Sequence, residues 1–152
     1  MVVRVESIIR RLQALRDYIH RLRPYQSRSL QELTEDEIVY AAVLRWLQLA
    51  AQCVMDITSH LHTELDLEPV DEYDEVILGL GRHGVLPREF AQRICKLPRL
   101  RNILVHEYLA IDPAKVHDVL LYGLDDLEEF IEHIQSFLQR EGYLPSKGDI
   151  DA

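Results

Sequence analysis

"LTEDEIVYAAVLRWLQLAAQCVMDITSHLH", residues 33–62, is the stretch that decides the fold. Thr34 is the predicted N-cap of a helix, and Glu37, three positions on, is its capping-box partner. The apolar residues that follow recur at the spacing of one helix face: Ile38, Ala41, Ala42, Leu49, Cys53, Ile57 and Leu61. The pattern therefore predicts one long helix that extends to about residue 64.

Further helical patterns flank this segment on both sides. Residues 3–23 have the periodicity of one amphipathic helix, and residues 71–80 predict a short one. Another helix is expected to start near Pro87, and Asp112 followed by Pro113 is a strong start signal for the last. No alternating strand pattern of useful length is present. The sequence therefore predicts an all-α fold, an antiparallel bundle of four main helices plus short ones.

The length of 152 residues, with 47% hydrophobic content, suits one domain with a real core and is too short for two. We expect residues 1–141 to form this single helical domain and residues 142–152 to be a loose tail. The first fifteen residues carry charges every few positions and do not resemble a signal peptide. No later stretch approaches the roughly 20 uninterrupted apolar residues of a membrane span. We expect a soluble, cytoplasmic protein with no membrane partner.

The two cysteines, Cys53 and Cys95, each lie in an apolar helical pattern. Neither has a second cysteine or a histidine at metal-ligand spacing. We therefore expect small buried residues rather than a disulfide or a zinc site. Nothing in the sequence indicates a metal or another cofactor.

The formal net charge of −9 argues against a general binder of polyanions. The charge is segregated, however, because residues 1–28 and 82–101 are rich in arginine while residues 29–81 are acidic. If the two basic segments meet in space, they would form a local anion-binding groove, and otherwise they are solvated helix faces. Within the acidic segment, Arg45 and Asp56 are eleven residues apart and share a helix face, and the role of this pair is open.

"RNILVHEY", residues 101–108, places an arginine, a histidine and a tyrosine around an apolar run. Metal-independent RNA cleavage needs proton transfer at the ribose 2′-hydroxyl and the leaving oxygen, together with positive charge on the phosphate. A histidine such as His106 suits proton transfer, because its unperturbed pKa is about 6.5. Arg101 suits the phosphate, because a guanidinium binds two oxygens and keeps its charge. The alternative is that both residues are structural, since a helical histidine more often caps or packs than catalyses.

The spacing of the motif limits how it could work. Five residues apart on a helix, Arg101 and His106 diverge by about 140°, whereas Asn102 and His106 align. Either the helix ends or bends near His106, or a second copy of the chain completes the site across a two-fold axis. We favour a composite site at a homodimer interface.

These residues resemble the HepT-like toxins of the HEPN superfamily. The R-x-x-x-x-H-x-Y signature of that family is matched by Arg101, His106 and Tyr108, and its asparagine by Asn102. The likeness extends over most of residues 38–138, including the long second helix, the motif helix and the last helix. It implies a metal-independent endoribonuclease toxin of a type VII-like toxin–antitoxin system, which cleaves RNA, with tRNA as one candidate substrate.

The resemblance also implies roles for individual residues. Arg101 and His106 would be catalytic, with Asn102 in a supporting role. An MntA-type nucleotidyltransferase antitoxin would neutralise the toxin by attaching AMP to Tyr108, which adds charge and bulk two residues from His106. The alternative for Tyr108 is an amphipathic residue at a helix end. The basic stretch before the motif supplies three candidate RNA-binding residues: Arg93, Lys96 and Arg99.

Two other functions remain open from the sequence. The protein could be a non-catalytic helical partner of a nucleotidyltransferase, since its acidic bulk suits a protein-binding surface better than RNA. It could also be a plain dimerising bundle in which the motif residues are structural. Toxicity on expression without the antitoxin is expected only for the ribonuclease.

Overall fold

The structure is a computed structural model that describes residues 4–106 and 111–145, with the backbone alone at positions 105 and 106. Every regular element in these residues is helical, which confirms the predicted all-α class. The helices are α1 (Val5–Leu22), α2 (Leu30–Glu35), α3 (Glu37–Glu64), α4 (Tyr73–Arg82), α5 (Arg88–Ile94), α6 (Leu97–His106), α7 (Pro113–Asp118) and α8 (Leu124–Arg140). A 3₁₀ turn, Arg23–Ser27, follows α1, and a π-helical turn, Val119–Gly123, joins α7 to α8.

The helix α3 is the centre of the bundle, and α1 runs antiparallel to it. On the α1 side, Arg11 reaches Asp56 while Tyr25, just past α1, lies 6.0 Å from Trp46 between ring centroids. Because residue numbers rise on one side as they fall on the other, the two helices are antiparallel. α6 packs on another side of α3, and α8 packs on α1, where Arg23 contacts Asp125 and Glu128. The predicted antiparallel bundle is confirmed.

The core forms because α1, α3 and α8 each bury one apolar stripe. α1 buries residues at intervals of three and four: Ile8, Leu12, Leu15, Ile19 and Leu22. α8 buries Phe130, which is fully inaccessible, together with its apolar neighbours one turn away on either side. Each fully buried leucine, isoleucine or phenylalanine contributes about 1.5–3 kcal/mol of transfer free energy. These stripes hold the long helices at fixed positions around α3.

The predicted cap of the long helix is wrong. Thr34 lies inside the short helix α2, where its hydroxyl donates to the Leu30 carbonyl at 3.0 Å. α3 begins after Asp36, whose carboxylate accepts from the Val39 backbone N–H at 3.1 Å. The chain therefore makes two helices where one was expected, because Asp36 has extended backbone (ψ 92°) and interrupts the helix.

A second capping pattern explains the extra helix. Ser29 and Glu32 form a reciprocal capping box, with Glu32 N–H donating to the Ser29 hydroxyl at 3.1 Å and Ser29 N–H donating to the Glu32 carboxylate at 3.2 Å. Hydrogen bonds from Ser29 lower the pKa of the Glu32 carboxyl. The start of α3 is also less buried than predicted, because Ile38 is 82% exposed and the buried stripe begins at Val43.

Among the described residues, α3 alone is long and apolar enough, by length and composition, to cross a membrane. Ten of its residues are buried inside the domain, and helices pack against it on several sides. Polar side chains in its middle, Gln52 and Asp56, contact side chains of other helices. α3 therefore has the environment of a core helix.

Candidate functional site

Residues 101–106 of the motif lie on α6, whose backbone is helical from Leu97 to His106. Its sequence positions 101 and 106 are separated by about 140° around the axis and about 7.5 Å along it. On a regular helix these two positions lie on different sides of the axis. The side chain of His106, and all of Tyr108, lie outside the described part of the chain.

The Arg101 side chain is hydrogen-bonded to the side-chain amide of Gln52 on α3. Its Nε–H donates to the Gln52 side-chain oxygen at 2.8 Å, a contact that spans 49 positions of sequence. Its Nη1 donates to the Asn102 side-chain oxygen at 3.2 Å. Arg101 and Gln52 are both half-buried, and Asn102 is exposed. The guanidinium is thus oriented by two uncharged acceptors at the surface of the bundle.

Gln52 is in turn fixed by its neighbour one helical turn on. Its amide nitrogen donates to Asp56 Oδ1 at 2.8 Å. The other carboxylate oxygen, Oδ2, lies 3.6 Å from Nε of Arg11 on α1, and Arg11 also donates to the Ser7 carbonyl at 3.3 Å and to its hydroxyl. We call the series Arg101, Gln52, Asp56 and Arg11 the polar relay. It connects α6, α3 and α1.

The polar relay is where the two basic segments of the sequence meet. Arg101 belongs to residues 82–101 and Arg11 to residues 1–28, and both reach the same short stretch of α3. Arg45, which was paired with Asp56 by its helical spacing, is exposed and does not take part in these contacts. Sequence reasoning missed Gln52, although its position four residues before Asp56 places it on the same face.

Two of the three candidate RNA-binding residues, Arg93 and Arg99, form ion pairs with carboxylates. Arg93 Nε lies 3.1 Å from Asp126, and its Nη2 lies 2.9 Å from Glu129. Arg99 Nε lies 3.1 Å from Asp74 on α4. These pairs are more than one-third exposed on the arginine side, so their energies are small, but their positive charge is partly compensated. Arg101 differs from both, because its partners are amides.

The third candidate, Lys96, lies in the turn between α5 and α6 and is exposed. It makes no ion pair with any side chain that the structure describes. Its ammonium charge is therefore available to an anion that approaches the start of the motif helix.

The cysteines have the predicted character in part. Cys53 is buried, and Cys95 is half-buried, with its thiol donating to the Gln92 carbonyl at 3.3 Å. Burial, followed by the Asp56 carboxylate, raises the pKa of the Cys53 thiol to about 11, against an opposing effect of Arg11. A thiol with this pKa is protonated at neutral pH and is not a nucleophile. Across residues 4–106 and 111–145, no group of three or more histidine, cysteine or acidic residues is placed to bind a metal ion.

The sequence model of the family described as "Ribonuclease HepT-like" matches residues 15–134 of this chain. The tRNA nuclease HepT of Aphanizomenon flos-aquae is 30% identical over 128 residues, which are 84% of this chain and 87% of that protein. The mRNA nuclease HepT of Shewanella oneidensis is 25% identical over 132 residues, which are 86% of this chain and 98% of that protein. These matches confirm the family resemblance that the motif indicated.

A solved structure has the same helical arrangement. The tri-AMPylated Shewanella oneidensis HEPN toxin, solved in complex with an MNT antitoxin, aligns with a TM-score of 0.76 at 22% identity. The alignment covers 86% of this chain and 97% of that one. At this identity the likeness shows the fold alone, and it confirms the predicted HEPN-like bundle.

Proposed function

This chain belongs to the Ribonuclease HepT-like family, and from that membership we propose that it is an endoribonuclease toxin whose catalytic residues are Arg101 and His106. The observation that carries the assignment of the site is the environment of Arg101. Among the residues that the structure describes, its guanidinium is held by the amide oxygens of Gln52 and Asn102 rather than by a carboxylate. Its charge is therefore uncompensated by its direct partners and free to act on a phosphate.

The proposed reaction uses the ribose 2′-hydroxyl of RNA as the nucleophile. The 2′-oxygen forms a bond to phosphorus, the bond from phosphorus to the 5′-oxygen breaks, and a 2′,3′-cyclic phosphate results. A base accepts the 2′ proton and an acid returns a proton to the 5′-oxygen, tasks for which a histidine such as His106 suits neutral pH. Arg101 neutralises the charge that develops on the phosphate, a task that a divalent metal performs in other nucleases. We propose that cleavage therefore needs no metal.

We propose that the site is completed by a second copy of the chain. Sequence positions 101 and 106 lie on different sides of one regular helix, about 140° apart. A two-fold axis beside α6 would bring Arg101 of one protomer towards His106 of its partner. Asn102 supports the site by bonding to the Arg101 guanidinium and by lying one helical turn before His106.

The protein that shares this fold was solved as an AMPylated toxin with an MNT antitoxin. By analogy, we propose that a nucleotidyltransferase antitoxin neutralises this chain by attaching AMP to Tyr108. One relative is named for tRNA and the other for mRNA, so RNA is the proposed substrate class and tRNA is one candidate within it. The cytoplasm, where both RNA classes are found, is the proposed site of action.

The test is cleavage of total RNA by the purified protein in the presence of EDTA. Wild-type protein is expected to cleave, and Arg101→Ala is expected to lower the rate by about 10²-fold or more. Arg99→Ala is the matched control, because Arg99 lies on the same helix but pairs with Asp74. Equal activity of Arg101→Ala and wild-type protein would contradict the proposed site, and cleavage that requires magnesium would contradict metal independence.

A further inference from the structure

We propose that Gln52 and Asp56, on α3, are positioning residues that fix the orientation of the Arg101 guanidinium for an RNA phosphate. This inference rests on the proposed function and adds residues that lie about fifty positions away from the motif. Its evidence is the pair of 2.8 Å hydrogen bonds from Arg101 to Gln52 and from Gln52 to Asp56.

The geometry selects which edge of the guanidinium remains available. An arginine has five N–H donors. Gln52 takes the Nε–H and Asn102 takes one proton of Nη1, so within the described part of the chain three donors remain, one on Nη1 and two on Nη2. Gln52 therefore blocks the edge formed by Nε and Nη2, and the remaining Nη1 and Nη2 hydrogens are the donors left for phosphate oxygens.

Asp56 determines which way the Gln52 amide points. An ionised carboxylate only accepts hydrogen bonds, so it draws the amide nitrogen of Gln52 towards itself. The amide oxygen is then directed at Arg101. Without Asp56, the amide could rotate and present its own N–H groups to the guanidinium, which cannot accept them.

The use of an amide as the direct partner preserves the charge of Arg101. A carboxylate at sequence position 52 would hold the guanidinium equally well but would compensate its charge, as Asp74 does for Arg99. In the polar relay, Gln52 lies between Arg101 and the carboxylate of Asp56, and that carboxylate also faces Arg11. Asp56 and Arg11 are about 40% exposed, so their ion pair adds little stability, and orientation is its main contribution.

The inference is tested with three variants and a matched control on purified full-length protein. Gln52→Leu and Asp56→Leu are expected to lower kcat by about 10-fold to 100-fold with little change in KM, because a displaced catalytic group affects the transition state most. Gln48→Leu replaces a glutamine one turn earlier on the same helix and is expected to leave kcat unchanged. Melting temperatures show whether each variant is folded.

In Gln52→Glu, kcat is expected to depend on pH in a way that a purely structural role of Gln52 would not produce. The groups facing the new carboxyl are Arg101 on α6, Asp56 on α3 and, beyond it, Arg11 on α1. Two carboxyls at hydrogen-bond distance raise the pKa of one of them. The protonated acid imitates glutamine, because its C=O accepts from Arg101 and its O–H donates to Asp56. The kcat of Gln52→Glu relative to wild type at the same pH is therefore expected to rise about tenfold or more from about pH 8 to about pH 5.

A measurement that needs no RNA separates the two proposals. The Arg101 Nε–H signal in ¹⁵N NMR, identified by its absence from Arg101→Lys, is expected to exchange with water at least about tenfold faster in Gln52→Leu, because its acceptor is lost. If wild-type protein cleaves no RNA, the proposed function fails and this signal alone decides the relay. An unchanged signal, an unchanged kcat in Gln52→Leu, or a flat pH ratio in Gln52→Glu would each overturn the inference.

Discussion

Arg99 and Arg101 lie two positions apart on α6 and have opposite kinds of partner: Arg99 contacts a carboxylate, Asp74, at 3.1 Å, and Arg101 contacts an amide, Gln52, at 2.8 Å. The first contact fastens α6 to α4 and the second fastens it to α3. In the basic stretch, Arg93 and Arg99 therefore have their charge partly compensated by carboxylates on other helices, whereas the described partners of Arg101 are uncharged. This difference also ranks the candidate RNA-binding residues.

Lys96→Ala is expected to weaken RNA binding more than Arg93→Ala or Arg99→Ala. Lys96 is exposed without an ion pair in the described residues, whereas Arg93 and Arg99 already contact carboxylates. Loss of one phosphate contact lowers the dependence of log K on log salt by about one. Binding of RNA to each variant, made in the His106→Ala background and titrated at several salt concentrations, measures this. A larger loss for Arg99→Ala would show that its pair with Asp74 opens on binding.

Mixed dimers of Arg101→Ala and His106→Ala are expected to recover activity that neither variant has alone. If each site takes its arginine from one protomer and its histidine from the partner, a mixed dimer contains one intact site. Purification through both tags leaves only mixed dimers, and each has one intact site of two, so about half of wild-type activity is expected. The variants are co-expressed with different tags and purified through both.

The control for this experiment is each variant purified in the same way with both tags. No recovery in the mixed sample would place Arg101 and His106 of one chain in the same site, contrary to the composite arrangement. A chain that runs as a monomer in size measurements would also exclude it.

Tyr108→Phe is expected to leave RNA cleavage close to that of wild type and to abolish protection by the nucleotidyltransferase. Phenylalanine keeps the ring and removes the hydroxyl that would accept AMP. The measurement is intact mass after incubation with the antitoxin, ATP and magnesium, followed by the cleavage assay. Wild-type protein should gain mass in AMP-sized steps and lose activity. A full mass gain in Tyr108→Phe would assign the modification to another residue.

The extents of α1 and α3 could be predicted from the sequence, because a buried apolar stripe requires a regular helix of that length. The N-cap of α3 could not be predicted, because Ser29, Thr34 and Asp36 are all residue types that cap helices. In the structure Ser29 caps α2 and Asp36 caps α3. Ile38, one residue inside the observed start of α3, is 82% exposed.

The candidate site could be proposed from the sequence where its chemistry has a local pattern. Arg101 and His106 stand in one short motif, whereas Gln52 contributes through a contact across 49 positions, and a glutamine on a helix has no distinctive pattern. Asp56 was noticed because a charge on an apolar helix is unusual. Its observed partners are Gln52 and Arg11 rather than Arg45, since they are the side chains that α3 and α1 bring within reach.

The pKa of the Cys53 thiol is expected to change when Asp56 or Arg11 of the polar relay is replaced. It is measured in a Cys95→Ser background, so that Cys53 is the cysteine that reacts. The raised pKa of about 11 leaves on the order of one thiolate in a thousand at pH 8, so alkylation by iodoacetamide should be very slow. Because the Asp56 carboxylate raises this pKa, Asp56→Asn is expected to lower it and to speed alkylation. Arg11→Gln is expected to act in the opposite direction, since Arg11 lowers it.

The raised pKa of Cys53 is expected to make the free energy of unfolding fall as the pH rises. A thiol whose pKa is higher in the folded than in the unfolded chain favours the folded state below the unfolded pKa and loses that contribution as the pH rises. The free energy of unfolding of Cys95→Ser is therefore expected to fall between about pH 9 and about pH 11, and the fall should be absent when Cys53 is replaced by alanine as well. Denaturant unfolding at a series of pH values measures both. A fall of equal size in the two variants would show that Cys53 lies in a more solvated environment than its burial beside Asp56 indicates.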